Sequence, residues 1–348
     1  MRLRHILVID DNVTNLKLAE NTLKPYYKVS LLISGAQTLK FLAKHRPDLI
    51  LLDINLPDMD AYETLAKIKE NKELENIPVI FLTSRSDSEI EVKGFELGAV
   101  DFITKPFVSQ SMLSRVKMHL ELSEYRTQLE EKIYEKTQMI ENLQDVMMLS
   151  LAELVECRDE NTGGHVKRTA EYVRILANEL VEAGVYSDIL TPEYVKDIIK
   201  SAPLHDIGKI GINDATLLKM GSLDEDEFEY MKKHVELGAI SLQKMINETD
   251  KESFLYTARD MAYYHHEKWD GTGYPSGLKG EEIPISARIM AIADVYDALT
   301  TKRPYKEPFS HEDTVNIIIE GREKGFDPNI IDVFKEISYK FEMVKFSL

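Results

Sequence analysis

One cysteine, Cys157, stands among 348 residues. It leaves no partner for an intrachain disulfide and fits a reducing, cytoplasmic setting, and a lone thiol cannot build a cysteine-rich structural zinc site. Long apolar runs are missing as well. No stretch approaches the roughly 20 residues that span a bilayer, and the amino terminus leads straight into an apolar, strand-like run, so neither a membrane segment nor a signal peptide is expected. Basic charge is in deficit, with 43 Lys and Arg against 60 Asp and Glu and a net charge of −17. Affinity for a phosphate backbone grows with accumulated Lys and Arg, which disfavours a general nucleic-acid binder. The sequence offers no helix-turn-helix DNA reader, internal repeat or low-complexity segment. Its length suffices for two cores.

What is present is a concentration of histidine. Five of the nine histidines, His165, His205, His234, His265 and His266, fall between residues 165 and 266, with Asp206 directly after His205, Lys209 one turn on and Asp294 downstream. Neutral imidazole suits borderline transition metals such as iron, manganese, zinc or cobalt, and a carboxylate can bridge two of them. Two cations roughly 3.5–4 Å apart can lower the pKa of a shared water and stabilise both oxygens of an in-line phosphoryl displacement. Five histidines and two aspartates are enough for such a pair. The adjacent imidazoles His265-His266 open onto a loop with Gly271, Gly273, Gly277 and Gly280, stiffened by Pro275 and Pro284. Such a loop cannot be helix, and it is expected to wall the substrate site.

The segments His205-Asp206-Ile207-Gly208-Lys209, His265-His266 and Gly273-Tyr274-Pro275 resemble the HD-GYP branch of the HD phosphohydrolases over about residues 146–345. The resemblance implies hydrolysis of the bacterial second messenger cyclic di-GMP, to the linear dinucleotide pGpG after one cut or to GMP after two. It further implies that His205, Asp206 and Asp294 hold one metal and that Asp206 bridges to a second held by His234, His265 and His266, with His165 at the rim. Lys209 would act with Asp206 in catalysis, aiming its ammonium at a phosphate oxygen where charge grows. Tyr274, Arg303 and Lys306 match positions that contact the nucleotide. Iron or manganese are the expected metals. Some members hold a third metal through a glutamate four residues before the first motif histidine. Here that residue is Asn161, whose amide brings no charge, so two metals are expected. Diguanylate cyclases are candidate partners by the same resemblance. Two other functions stay open: a module that binds cyclic di-GMP without useful turnover, and hydrolysis of another cyclic dinucleotide or phosphoester.

The first third reads differently. Residues 4–10, 48–53 and 77–82 are short apolar runs separated by amphipathic segments of helical spacing, with weaker strands at 28–33 and 100–103. That alternation predicts a doubly wound, five-stranded parallel sheet, whose sites form beyond the carboxyl ends of the strands. Asp10, Asp11, Asp53, Thr83 and Lys105 should converge there, and three carboxylates in one crevice call for a hard cation such as magnesium. Residues 1–122 resemble a response-regulator receiver domain. By that resemblance a histidine kinase phosphorylates Asp53, magnesium is held by Asp10, Asp11, Asp53 and the carbonyl of Asn55, and Thr83, Phe102 and Lys105 form the switch. Asp60-Ala61 departs from the glycine often found there, which bears on local turn geometry.

No proline or glycine interrupts residues 107–162, and Leu122, Leu129, Ile133, Ile140, Leu143, Met147 and Leu154 step by fours and threes, with polar Arg126, Lys136 and Ser150 in the same seam. Heptad spacing predicts a coiled-coil stalk joining two copies. The expected organisation is a receiver over 1–122, a helical linker over 123–147 and an all-α HD-type domain over 148–348.

Overall fold

The computed structural model describes residues 3–84, 88–159, 164–249, 254–302 and 307–347. The chain divides into two compact units, Met1–Gln138 and Met139–Leu348.

In the first unit, strands β1 (His5–Ile9), β2 (Lys28–Leu32), β3 (Leu49–Asp53), β4 (Val79–Thr83) and β5 (Asp101–Thr104) form one parallel sheet in the order β2-β1-β3-β4-β5. The central strands are apolar on both faces for a reason their pleat makes plain. Ile6, Val8, Leu49, Leu51, Ile80 and Leu82 pack into one core, while their neighbours Leu7, Ile9, Ile50, Leu52, Val79 and Phe81 pack into the other. Successive side chains of a strand point to opposite faces, and a parallel sheet covered by helices buries both. The helices are α1 (Val13–Leu23), α2 (Gly35–Leu42), α3 (Ala61–Glu70), α4 (Ser88–Glu96) and the start of α5 (Ser109–Asp159). Short polar side chains start several of them: Asn12 accepts from Thr14 N, Ser34 from Gln37 N and Asp60 from Tyr62 N. Asp60, in the Asp60-Ala61 pair that departs from the family pattern, thus caps α3. The two weaker strands are observed with small shifts, β2 ending at Leu32 and β5 beginning at Asp101.

Helix α5 runs unbroken for 51 residues. Its early positions Met112, Val116 and Leu120 are buried in the sheet core. Leu122, Leu129, Ile133, Ile140, Leu143 and Met147 are each more than half exposed.

The second unit is helical among its described residues: α6 (His165–Glu182), α7 (Pro192–Ser201), α8 (Asp214–Leu217), α9 (Glu225–Met231), α10 (Lys233–Glu248), α11 (Leu255–Tyr264), α12 (Ile285–Thr300), α13 (His311–Glu320) and α14 (Pro328–Ser347). Tyr172 of α6 lies at its centre, stacked on Phe341 at 4.6 Å and edge-on to Tyr296 at 5.0 Å. No described helix is long and apolar enough to cross a membrane. A 3₁₀ turn, Ile207–Gly211, crosses α10 so closely that a Cβ on Gly208 would lie 1.9 Å from His234 O and 2.4 Å from Gly238 N. Both obstacles are backbone, so nothing can swing aside. Gly208→Ala is therefore expected to destabilise the second unit by at least about 1–3 kcal/mol, as overpacking does, read as an earlier midpoint in urea denaturation. An unchanged midpoint would mean that the crossing is looser than observed.

Candidate metal centres

Five segments bring the histidine cluster together. His165 opens α6, His205 and Asp206 sit between two 3₁₀ turns, His234 lies in the first turn of α10, His265 and His266 follow α11, and Asp294 lies in α12. Asp206 is the hub. Its Oδ1 lies 3.4 Å from His234 Nε2 and 3.6 Å from His265 Nε2, and its Oδ2 lies 3.5 Å from His205 Nε2 and 2.8 Å from Lys209 Nζ. Two sets have donor atoms close enough to share an ion: Asp206, His234, His265 and His266, and His165, His205 and Asp206.

The far side of each ring explains the near side. His205 Nδ1 lies 2.8 Å from Ala202 O, His234 Nδ1 2.8 Å from Met231 O, and His265 Nδ1 3.1 Å from both Met261 O and Ala262 O. A carbonyl can only accept, so Nδ1 carries the proton and Nε2 presents a lone pair inward. His205 Nε2, His234 Nε2, His265 Nε2 and Asp206 Oδ1 are all buried without a hydrogen-bond partner. Orphaned buried acceptors are costly, and these four, divided between the two sets that share Asp206, are donors that fit divalent cations.

Electrostatics keeps most of the cluster in ligand form. Burial lowers His205 to a pKa of about 4, outweighing the pull of Asp206. Burial also lowers His234, and burial with the neighbouring His265 and His234 holds His266 well below the usual range. Asp206 is pushed up by burial, but the Lys209 ammonium and the imidazoles prevail and hold it well below the ordinary carboxylate range. His165 is the exception. Burial opposes its charge, yet the hydrogen bond to Asp297 and the fields of Asp294 and Asp206 raise it to about 9.

Several expected residues take a particular place. Asp294 falls outside both close sets, with its Oδ1 3.6 Å from His165 Nε2. His165 is buried with its ring 5.5 Å from that of His205, rather than at a rim. Lys209 belongs to a 3₁₀ turn, not to the α-helical turn its spacing predicts, and the neighbouring Gly208 packs against α10. Tyr274 stacks on His266 at 4.8 Å. Arg303, Lys306 and Asn161 lie outside the described residues.

Two supporting carboxylates were not expected. Asp297 is buried, takes His165 Nδ1 at 2.8 Å and receives Arg168 at 2.6 and 2.9 Å. Its place three residues after Asp294, on the same helix face, was the available signal. Glu267, also buried, accepts from Ser276 N at 2.7 Å and Leu278 N at 3.1 Å and so folds the glycine-rich loop back on itself. Gly273 fits because a Cβ there would meet Lys268 N at 2.3 Å.

The first unit holds a third set, Asp10, Asp11 and Asp53. Asp53 ends β3 and Asp10 follows β1; both are buried and both meet Lys105, at 2.7 and 2.6 Å. Burial raises the pKa of Asp53 against the pull of Lys105, with Asp10 adding to the rise. Asn55 N donates to Asp53 Oδ1 at 3.3 Å. Thr83 is buried at the end of β4, and Phe102 is buried against Phe81 and Phe95 at 5.5 and 5.0 Å.

Comparison with known proteins agrees with both halves. Residues 6–117 match the model of the response regulator receiver domain, and residues 150–330 match that of the HD domain. This chain belongs to the response regulators that carry an HD domain. The response regulator is 45% identical to a probable cyclic di-GMP phosphodiesterase of Vibrio cholerae, over 94% of this chain and 76% of that protein. It is 32% identical to the cyclic di-GMP phosphodiesterase response regulator RpfG of Xanthomonas campestris, over 94% and 86%. A 3'3'-cGAMP-specific phosphodiesterase of Vibrio cholerae is 40% identical over 58% of this chain and 36% of that protein.

A raised pKa at His165 makes a testable pH dependence. Below about 9 the ring is protonated, and a metal that takes it must displace that proton. Mn²⁺ affinity measured at pH 7, 8 and 9 is expected to climb by up to about tenfold per unit, the one-proton linkage slope. His205, already neutral well above pH 4, adds nothing to the slope. A flat profile would exclude His165 from the ligand set.

Proposed function

We propose that this response regulator hydrolyses cyclic di-GMP at a centre of two divalent cations, under control of phosphorylation at Asp53. The observation that carries the reading is the convergence around Asp206 of His205 Nε2, His234 Nε2, His265 Nε2 and Asp206 Oδ1 as buried, unpartnered acceptors, in a chain that matches relatives named for this substrate over 94% of its length. In this reading His205, Asp206 and Asp294, with His165 beside them, would hold one cation, and His234, His265 and His266 would hold a second, with Asp206 shared between the two. Bound iron or manganese would supply an acidified water and positive charge at the phosphodiester oxygens. Lys209, poised 2.8 Å from Asp206, adds its ammonium at the phosphate. Tyr274, with Arg303 and Lys306, contacts the nucleotide. The ring of Tyr274 backed by His266 offers a flat face at the ligands.

On the receiver side, Asp53 is the phosphoryl acceptor from a histidine kinase. Asp10, Asp11, Asp53 and the Asn55 carbonyl hold magnesium, and Thr83, Lys105 and Phe102 respond to the phosphoryl group. Lys105 supports that role by contacting Asp53 and Asp10 together. The exposed apolar residues of α5 support a dimer of two such chains through a linker over 123–147, between a receiver over 1–122 and an output domain over 148–348.

Protein purified without oxygen and loaded with iron or manganese is expected to convert cyclic di-GMP to pGpG or GMP, and His265→Ala and His266→Ala to lose that turnover. Preferential turnover of 3'3'-cGAMP would favour the hybrid dinucleotide, as the similarity to an enzyme of that name allows. Binding without turnover at full metal occupancy would reduce the domain to a sensor. Asp53→Asn is expected to keep basal hydrolysis and lose any change on adding a phosphoryl donor; equal wild-type rates with and without donor would remove phosphorylation control.

A further inference from the structure

Helix α6, which presents His165, cannot cap its own start. Its N-cap residue is Gly164, at φ 91° and without a side chain to accept the first N–H groups. The cap comes from α5 instead. Glu156, 8% exposed, accepts from His165 N at 2.9 Å through Oε1 and from Val166 N at 3.3 Å through Oε2, which places a carboxylate on the positive end of the α6 dipole. Two residues on, Arg158 reaches the other ligand segment. Its guanidinium donates to Ile210 O at 2.9 Å and Ile212 O at 3.3 Å, at the end of the 3₁₀ turn that follows Asp206 and contains Lys209, and to Asp214 Oδ1 at 2.6 Å. Val155, Glu156, His165, Asp206 and Lys209 line one small cavity. The end of α5 thus carries an anion that caps one ligand-bearing segment and a cation that caps the other.

We propose that Glu156 and Arg158 are positioning residues that set the register of His165 against Asp206 and Lys209, so that the last two turns of α5 are read directly at the metal centre. Each acts through the backbone of a segment that carries a proposed ligand. A shift of α5 would move both anchors together. This inference rests on the reading of the cluster as a metal centre but not on the identity of its substrate. A purely structural role, docking α5 on its neighbours, is the competing account, and the protein contains its own control. Glu153 of α5 pairs with Lys167 of α6 at 2.7 Å, tying the same two helices by side chains alone.

The test is Mn²⁺ titration of the full chain, followed by electron paramagnetic resonance, for wild type, Glu156→Gln, Arg158→Lys and Glu153→Gln, with thermal unfolding and cyclic dinucleotide hydrolysis measured alongside. Glu156→Gln keeps the shape but loses one acceptor, and Arg158→Lys keeps the charge but cannot span three acceptors at once. Each is expected to weaken Mn²⁺ binding about 10–100-fold, as loss of a ligand-orienting contact does, while Glu153→Gln binds as wild type. Should one variant fail to fold, the other decides. Unchanged Mn²⁺ affinity in the folded variants, or an equal loss in Glu153→Gln, would overturn the proposal. Weakened Mn²⁺ binding together with a wild type that hydrolyses no cyclic dinucleotide would uphold the positioning role and reject the phosphodiesterase reading.

Discussion

A buried carboxylate facing buried imidazoles is the constraint around which the second unit is built. Asp206 lies within 3.6 Å of three Nε2 atoms whose rings are fixed from behind by backbone carbonyls. Without those carbonyls either ring nitrogen could carry the proton, and a protonated Nε2 would donate to Asp206 instead of offering a lone pair. The carbonyls belong to 3₁₀ or helical turns immediately before each histidine, so the local helical geometry that delivers the ring also selects its tautomer. His165 is oriented differently, by the carboxylate of Asp297, which Arg168 in turn holds in place. Burial holds His205 at about 4, whereas at His165 burial is outweighed by the hydrogen bond to Asp297 and the fields of Asp294 and Asp206, which raise it to about 9.

The same balance recurs in the receiver with oxygen ligands alone. Asp10 and Asp53 are buried at the carboxyl ends of neighbouring strands, and Lys105 offsets their repulsion by contacting both. Burial still raises the pKa of Asp53. A carboxylate in that condition gains from a hard cation. Between the two chemistries runs one helix. The first turns of α5 are buried in the receiver core, and Glu156 and Arg158 near its end hold segments of the histidine cluster.

Much of this was legible beforehand because it repeats with short periods or stands adjacent in sequence. A short continuous run of apolar side chains reads directly as a strand with two buried faces, and Asp53 and Thr83 stand at the carboxyl ends of such runs. His205-Asp206 and His265-His266 advertise themselves by adjacency. Boundaries were less clear: β2 and β5 differ by a residue or so from expectation, since strand ends depend on which neighbours supply the hydrogen bonds. Lys209 misleads in the same manner. Its spacing from His205 matches an α-helical turn, but it lies in a 3₁₀ turn whose Gly208 packs directly against the backbone of α10.

The sequence by itself determined the two cores, the histidine and aspartate cluster, the carboxylate crevice and the uninterrupted helix between them, because each follows from composition and spacing along the chain. Only the tertiary structure decided which groups support those residues. Asp297, Glu156, Arg158 and Glu267 look like ordinary surface charges in a sequence rich in acid, yet each meets a partner brought near by folding. Glu156 contacts His165 nine residues away, Arg158 contacts Asp214 fifty-six away and Asp297 contacts His165 one hundred and thirty-two away. A hydrogen bond is a relation between two positions, and its second member is known only once the chain has folded.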